Sequence, residues 1–219
     1  INPNYLQAHY NLGNTFLRKG DFTDAIFSFK KAIHIDPNFP NSYSNLGIAQ
    51  LQNGDTENAI SSFKKAISIN PNFHDAYCNL GIAFKKQNAL VNAIKAFQKA
   101  IKLKPNYPEA YNNLGNALHE QGDLITAILV FREAIKLKPN YPEAFYNLGI
   151  SLHAQGEIFA AISAFQEAIK LKPNYPIASF NLSCSQLLIK DFPNGWDNYE
   201  WRWKTDDALE PHAQPQSEK

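Results

Sequence analysis

The sequence predicts an all-α solenoid built from one helix-turn-helix unit repeated along the chain. Three observations carry that reading. Pro37, Pro71, Pro105, Pro139 and Pro173 stand 34 residues apart, each followed by Asn and an aromatic residue, and Pro3-Asn4-Tyr5 extends the series one period upstream. Leu-Gly pairs keep the same period at Leu12-Gly13, Leu46-Gly47, Leu80-Gly81, Leu114-Gly115 and Leu148-Gly149. A third series, Ala25-Phe29-Ala32 through to Ala161-Phe165-Ala168, follows each pair in register. A fixed period of this length marks one supersecondary unit that stacks on its neighbours, with function built from the array.

Within each unit the elements follow in order. The Leu-Gly segment lies on the first helix. Gly20-Asp21, Gly54-Asp55, Gly122-Asp123 and Gly156-Glu157 end it. Glycine takes the left-handed conformation that closes a helix, and the acid suits the positive N-terminus of the second. The third unit carries Asn88-Ala89 there, asparagine being the next-best left-handed residue. On the second helix Ala, Phe and Ala follow at spacings of four and three, hence on one face. Small Gly and Ala let two helices approach closely, while Phe and Leu fill the remaining space. Pro-Asn-aromatic stops the second helix. Pro40, Pro108, Pro142 or Pro176 then opens the next first helix, where its missing N–H costs nothing.

Leu-Gly, Ala, Phe, Ala and Pro at this period resemble the tetratricopeptide repeat. The resemblance covers residues 1–204. It places the end of a truncated upstream repeat at 1–5, full repeats at 6–39, 40–73, 74–107, 108–141 and 142–175, and a degenerate sixth at 176–204. Residues 205–219 read as a flexible tail or linker. The early Trp of the family is replaced by His9, Tyr43, Tyr77, Tyr111 and Phe145. The family implies a right-handed superhelix whose first helices line a concave groove, and at least one further repeat upstream of Ile1.

Composition narrows the function. A net charge of +1 gives little support to a nucleic-acid partner. The longest apolar runs are too short to span a bilayer, and no signal peptide is visible, so a cytoplasmic protein without a membrane partner is expected. Cys78 and Cys184 lie far apart in the array and read as half-buried hydrophobes of a reducing compartment. Lys30, Lys31, Lys64, Lys65, Lys99, Lys136 and Lys170 on the second helices read as a solvated outer face. No phosphate loop, nucleophile elbow or triad spacing appears, so no catalytic residue, cofactor or enzymatic activity is expected. His119 and His153 occupy equivalent positions in adjacent repeats but lack a third ligand in register, and no metal is assigned.

One position is more uniform than packing requires. The residue before each Leu is Asn11, Asn45, Asn79, Asn113, Asn147 and, in the degenerate unit, Asn181. Asn is a mediocre helix former, so six in a row at an internal turn call for a reason. In the family this position faces the groove. A carboxamide offers one acceptor and two donors, which suits the N–H and C=O of an extended peptide. The alternative is that these amides bond to a neighbouring repeat, or reflect duplication of one ancestral unit. The row is similar to that in the repeat region of O-linked N-acetylglucosamine transferases, which implies a protein or peptide partner. Asn14, Asn116, Arg18, Lys85, His119 and His153 are further groove-facing candidates.

The last unit changes character. Asn181-Leu182-Ser183 replaces Asn-Leu-Gly, and residues 195–203 carry Trp196, Tyr199, Trp201 and Trp203. With Ile177, Phe180, Leu187 and Leu188 this makes an apolar end where a solenoid cap is normally polar. The string resembles the junction in bacterial repeat proteins that continue into a glycosyltransferase-like domain. The leading expectation is a non-enzymatic module that binds an extended peptide in its groove. Its rivals are a substrate-recruiting region of a larger glycosyltransferase-like enzyme, and a self-assembling scaffold forming homodimers through the C-terminal end.

Overall fold

The computed structural model describes residues 5–199, and all regular structure among them is helical. Two compact units divide the chain between Gln121 and Gly122. The first holds α1 (Leu6–Lys19), α2 (Phe22–Ile35), α3 (Pro40–Gln52), α4 (Thr56–Ile69), α5 (His74–Lys86), α6 (Leu90–Leu103) and α7 (Pro108–Gln121). The second holds α8 (Leu124–Leu137), α9 (Pro142–Gln155), α10 (Ile158–Leu171), α11 (Pro176–Leu188) and α12 (Phe192–Tyr199). The prolines thus sit where expected, at the opening of α3, α7, α9 and α11.

In the first unit each helix packs on the next in sequence, and α1, α3, α5 and α7 also touch one another in succession. The second helices α2, α4 and α6 make no such mutual contact. The second unit repeats the scheme with α9 touching α11. One face of each unit is therefore a continuous surface of first helices, and the opposite face has spaces between second helices.

The glycine and alanine pattern explains how a hairpin closes. Phe29, Phe63 and Phe97 in the first unit, and Phe131 and Phe165 in the second, are completely buried. A Cβ on Gly13, Gly47 or Gly81 would lie 2.6 Å from a ring carbon of Phe29, Phe63 or Phe97. At Gly149 it would lie 2.5 Å from Phe165. Only glycine leaves room for the ring against the first helix. The flanking alanines are sealed as well: Ala25, Ala32, Ala59, Ala66, Ala93 and Ala100 have no exposed surface.

Turns behave as the sequence indicates, with one exception. Gly20, Gly54, Gly122 and Gly156 have φ between 83° and 91°, and Asn88 takes φ 58° in the same role. Asp55 and Asp123 accept the N–H of Asn58 and Thr126 at 3.3 and 3.1 Å, capping α4 and α8. The exception is Lys190, which follows the end of α11 with φ 65°, a strained conformation for a residue with a Cβ. Between units of the repeat, Lys104, Lys138 and Lys172 stand 4.6, 4.4 and 4.5 Å over the rings of Tyr107, Tyr141 and Tyr175. Burial, helped by Glu143 and Tyr146, pushes the Tyr175 phenol up to about 12.

The last hairpin is built differently. Ser183 stands where the others have glycine, and its hydroxyl donates to the Phe180 carbonyl at 2.7 Å. Tyr199, in register with the buried phenylalanines, is only half-buried. The close approach moves to Gly195, where a Cβ would meet Leu187 at 2.6 Å.

Two outcomes test this packing. Gly81→Ala improves helix propensity by about 1 kcal/mol, yet the new methyl collides with a ring that has no space to retreat. Overpacking of this kind costs about 1–3 kcal/mol, so the variant should melt lower, with hydrogen-exchange protection lost first around α5 and α6. An unchanged or raised melting temperature would refute the close-approach argument. Lys190→Gly should instead raise the denaturant midpoint, because relief of left-handed strain is worth roughly 1 kcal/mol; a lowered midpoint would show that Lys190 is not strained.

Candidate functional site

The first helices carry the asparagine row, and the structure shows what holds each amide. Residue i on one first helix lies beside residue i−35 on the preceding one. In the first unit Asn45 Nδ2 donates to Tyr10 Oη at 3.1 Å and to Asn14 Oδ1 at 2.7 Å. Asn113 Nδ2 donates to Cys78 Sγ at 3.8 Å. In the second unit Asn181 Nδ2 donates to Tyr146 Oη at 3.2 Å and to the Ile177 carbonyl at 2.9 Å. Asn11, on the exposed first helix, accepts from Gln7 Nε2 at 2.9 Å.

These bonds use part of the two donors and one acceptor that each amide offers. Both N–H groups of Asn45 and Asn181 are already engaged within the fold. The Oδ1 atoms of Asn45, Asn113 and Asn181 have no hydrogen-bond partner among the described residues. Neighbour bonding and ligand binding are thus compatible: the donors fix the amide, and the acceptor is left. Asn79 and Asn147 are half-buried in the same register on α5 and α9.

Sequence reasoning overlooked the apolar partners of this row. Ile48, Ile82 and Ile150 stand three residues after Asn45, Asn79 and Asn147, on the same helix face, and are half-buried. Ile48 and Ile82 rest on the core cluster that includes Phe63 and Leu80. They occupy the register of Asn14 and Asn116, so the i+3 spacing was the available signal. The first unit therefore offers the amide oxygens of Asn45 and Asn113 beside aliphatic patches at Ile48 and Ile82.

The other candidates divide. Asn14 positions Asn45, and Arg18 is exposed with Nε donating to the Asn14 carbonyl at 3.4 Å. Asn116 is half-buried on α7. Lys85 is paired with Glu120 at 2.8 Å, and Lys86 Nζ donates to the Leu51 carbonyl at 3.1 Å. Those two lysines tie successive first helices together, and Lys85, a groove-facing candidate, is ion-paired with Glu120. His119 and His153 are half-buried in the last turns of α7 and α9, in different units. No group of three metal-binding side chains occurs among the described residues.

A cluster of reactive residue types is absorbed into packing. Tyr107 Oη donates to Asp75 Oδ1 at 2.8 Å. His74 Nδ1 lies 3.0 Å from the same oxygen without hydrogen-bond alignment. Cys78 is 3% exposed, and burial pushes its thiol up, away from the thiolate a nucleophile requires. Tyr107 is raised for the same reason, followed by the influence of Cys78 and Asp75.

At the C-terminal end Ile177, Phe180 and Leu187 are half-buried, Phe180 lying 5.7 Å from the Tyr199 ring. Leu188, Phe192 and Trp196 are exposed, at 61%, 53% and 57%. Trp201 and Trp203 lie outside the described residues. No helix among those described is long and apolar enough to cross a membrane.

Comparison with known proteins agrees with this geometry. Family models described as TPR repeat match residues 13–54, 51–88, 84–122 and 115–156, and a model described as tetratricopeptide repeat matches 142–175. The chain is similar to the crystal structure of MamA, with 30% identity over 74% of this chain and 95% of that one, at a TM-score of 0.67. It also resembles YrrB, a TPR protein with an unusual peptide-binding site, with 23% identity over 81% and 91% of the two chains and a TM-score of 0.65. The pilF protein of Pseudomonas aeruginosa aligns over 95% and 93% at 17% identity and a TM-score of 0.82. The last two likenesses speak to the fold alone. No curated protein matches the sequence. With the repeat models covering most of its length and the hairpin packing they imply present in both units, the chain belongs to the tetratricopeptide repeat family.

Proposed function

We propose that the chain is a non-enzymatic protein-interaction module that holds an extended peptide against its first helices. The peptide's backbone N–H groups go to the oxygens of Asn45, Asn79 and Asn113 in the first unit, and its apolar side chains rest on Ile48 and Ile82; in the second unit Asn181 offers an acceptor of the same kind. One observation carries the reading: the Asn45 carboxamide is clamped by Tyr10 and Asn14 while its oxygen keeps no partner among the described residues. A pre-oriented acceptor gains affinity because little side-chain entropy remains to be lost. The peptide-binding site named for YrrB supports this use of the fold. A substrate-recruiting region of a larger glycosyltransferase-like enzyme would use the same row.

Peptides selected against the chain from a random library provide the test. Asn79→Ala with Asn113→Ala should weaken them roughly thirtyfold, each of the two lost bonds being worth about 1 kcal/mol, while melting changes little because the Asn113–Cys78 contact is weak. Methylating the peptide's backbone nitrogens should weaken binding comparably. Calorimetry showing full affinity in both cases would remove the row from the site.

A second reading concerns the C-terminal end, where Leu188, Phe192 and Trp196 expose apolar surface on adjacent helices. Such surface favours association, here as a homodimer through α11 and α12. Light scattering should detect dimers at high concentration that Leu188→Lys with Trp196→Lys abolishes; a strictly monomeric parent chain would rule the dimer out.

A further inference from the structure

The opposite face of the first unit carries a second feature, independent of the asparagine row. Because α4 and α6 do not touch, the outward side of α5 forms the floor of an open groove of about 380 Å³ between them. Tyr77, Leu80, Phe84 and Ala96 supply an apolar lining, with Lys64 and Lys95 on the rims. Lys64 Nζ stands 5.8 Å over the Phe84 ring, and Lys99 Nζ stands 5.9 Å over the Tyr77 ring. Lys64, Lys95 and Lys99 are exposed and have no ion pair among the described residues.

The charge around this groove is not the general character of the second helices. Helix α6 contains Lys95, Lys99 and Lys102 and no acidic residue, and α4 adds Lys64 and Lys65 against Glu57 alone. In the second unit the register of Lys99 is held by Glu133 and Glu167 instead. These pair with Lys136 at 3.4 Å and Lys170 at 3.1 Å. A chain of net charge +1 therefore concentrates uncompensated lysines beside an apolar cleft. Single exposed lysines are screened and worth little, but a group of one sign around a low-dielectric cleft focuses its field on a partner.

We propose that this groove docks an acidic peptide segment bearing one large apolar side chain, the side chain entering over Leu80 and the flanking carboxylates meeting Lys64, Lys95 and Lys99. The recessed floor favours a peptide. A bilayer surface does not reach into a cleft, and a phosphate backbone brings nothing apolar to fill it. Lysine over aromatic rings leaves ammonium donors free to swing toward carboxylates, while their stems already cover part of the apolar wall.

Fluorescence anisotropy with a short labelled polyglutamate peptide carrying one central phenylalanine tests the proposal. Binding should weaken steeply with added salt. Lys64→Glu with Lys95→Glu should reduce affinity at least roughly tenfold, with helical content and melting unchanged because both positions are exposed. Lys64→Gln with Lys95→Gln should give a smaller loss. A peptide with alanine in place of phenylalanine should bind several-fold more weakly. Asn79→Ala with Asn113→Ala should leave this binding intact, which separates it from the asparagine row. Three results would overturn the proposal: affinity unaffected by charge reversal, equal affinity for the alanine peptide, or lysine-dependent binding only to phosphatidylserine vesicles or single-stranded DNA.

Discussion

A phenylalanine ring packed directly against a glycine is the contact on which the rest of this protein depends. The hairpins α1–α2, α3–α4, α5–α6 and α9–α10 close because the first helix has no Cβ at one position and the second helix places a ring there. The rings of Phe29, Phe63, Phe97 and Phe165 sit within contact distance of glycine, with no exposed surface of their own. Close packing of this kind has no slack, since interiors are filled like molecular crystals and yield little to an added methyl. Fully buried alanines on either side carry the same logic to the neighbouring repeat. The last hairpin shows the consequence of relaxing it. Serine replaces glycine, tyrosine replaces phenylalanine, and the near contact shifts to Gly195 against Leu187.

That closure gives the two faces of a unit different chemistry. First helices touch in succession, so polar side chains on them can bond from one repeat to the next. Asn45 with Tyr10, Asn113 with Cys78, Asn181 with Tyr146 and Lys85 with Glu120 all span 35 residues, one repeat plus one position. A buried or half-buried amide needs its donors satisfied, and here the adjacent repeat satisfies them. Second helices stand apart, so their side chains meet solvent or the back of the next first helix. Lysines there stack on aromatic rings and leave grooves that no neighbouring repeat fills.

The bonds of the asparagine row act at two levels. The N–H groups of Asn45, Asn113 and Asn181 tie successive first helices together, and the same bonds fix the orientation of those three carboxamides. The preceding position, by contrast, varies freely from repeat to repeat: Tyr10, Ser44, Cys78, Asn112, Tyr146 and Phe180.

Periodicity alone determined the helices, their turns and their buried residues. The spacing of Leu, Gly, Ala, Phe and Pro is a local pattern, and each of those residue types answers to a constraint within one repeat: a missing Cβ, a fixed φ, a buried ring. Asn88 could be read as a left-handed residue because asparagine tolerates that conformation. Lys190 could not, since nothing in a lysine announces positive φ and only its place after α11 imposes it. The row of asparagines was equally legible, but which of its atoms are occupied was not. That depended on the Tyr10, Cys78 and Tyr146 side chains lying one helix away. The pairing of Lys85 with Glu120, and the opening of the cleft over Leu80, were likewise decided by how far apart neighbouring helices stand. Distances between repeats are set by packing across the whole hairpin, so they emerge only when the chain is folded.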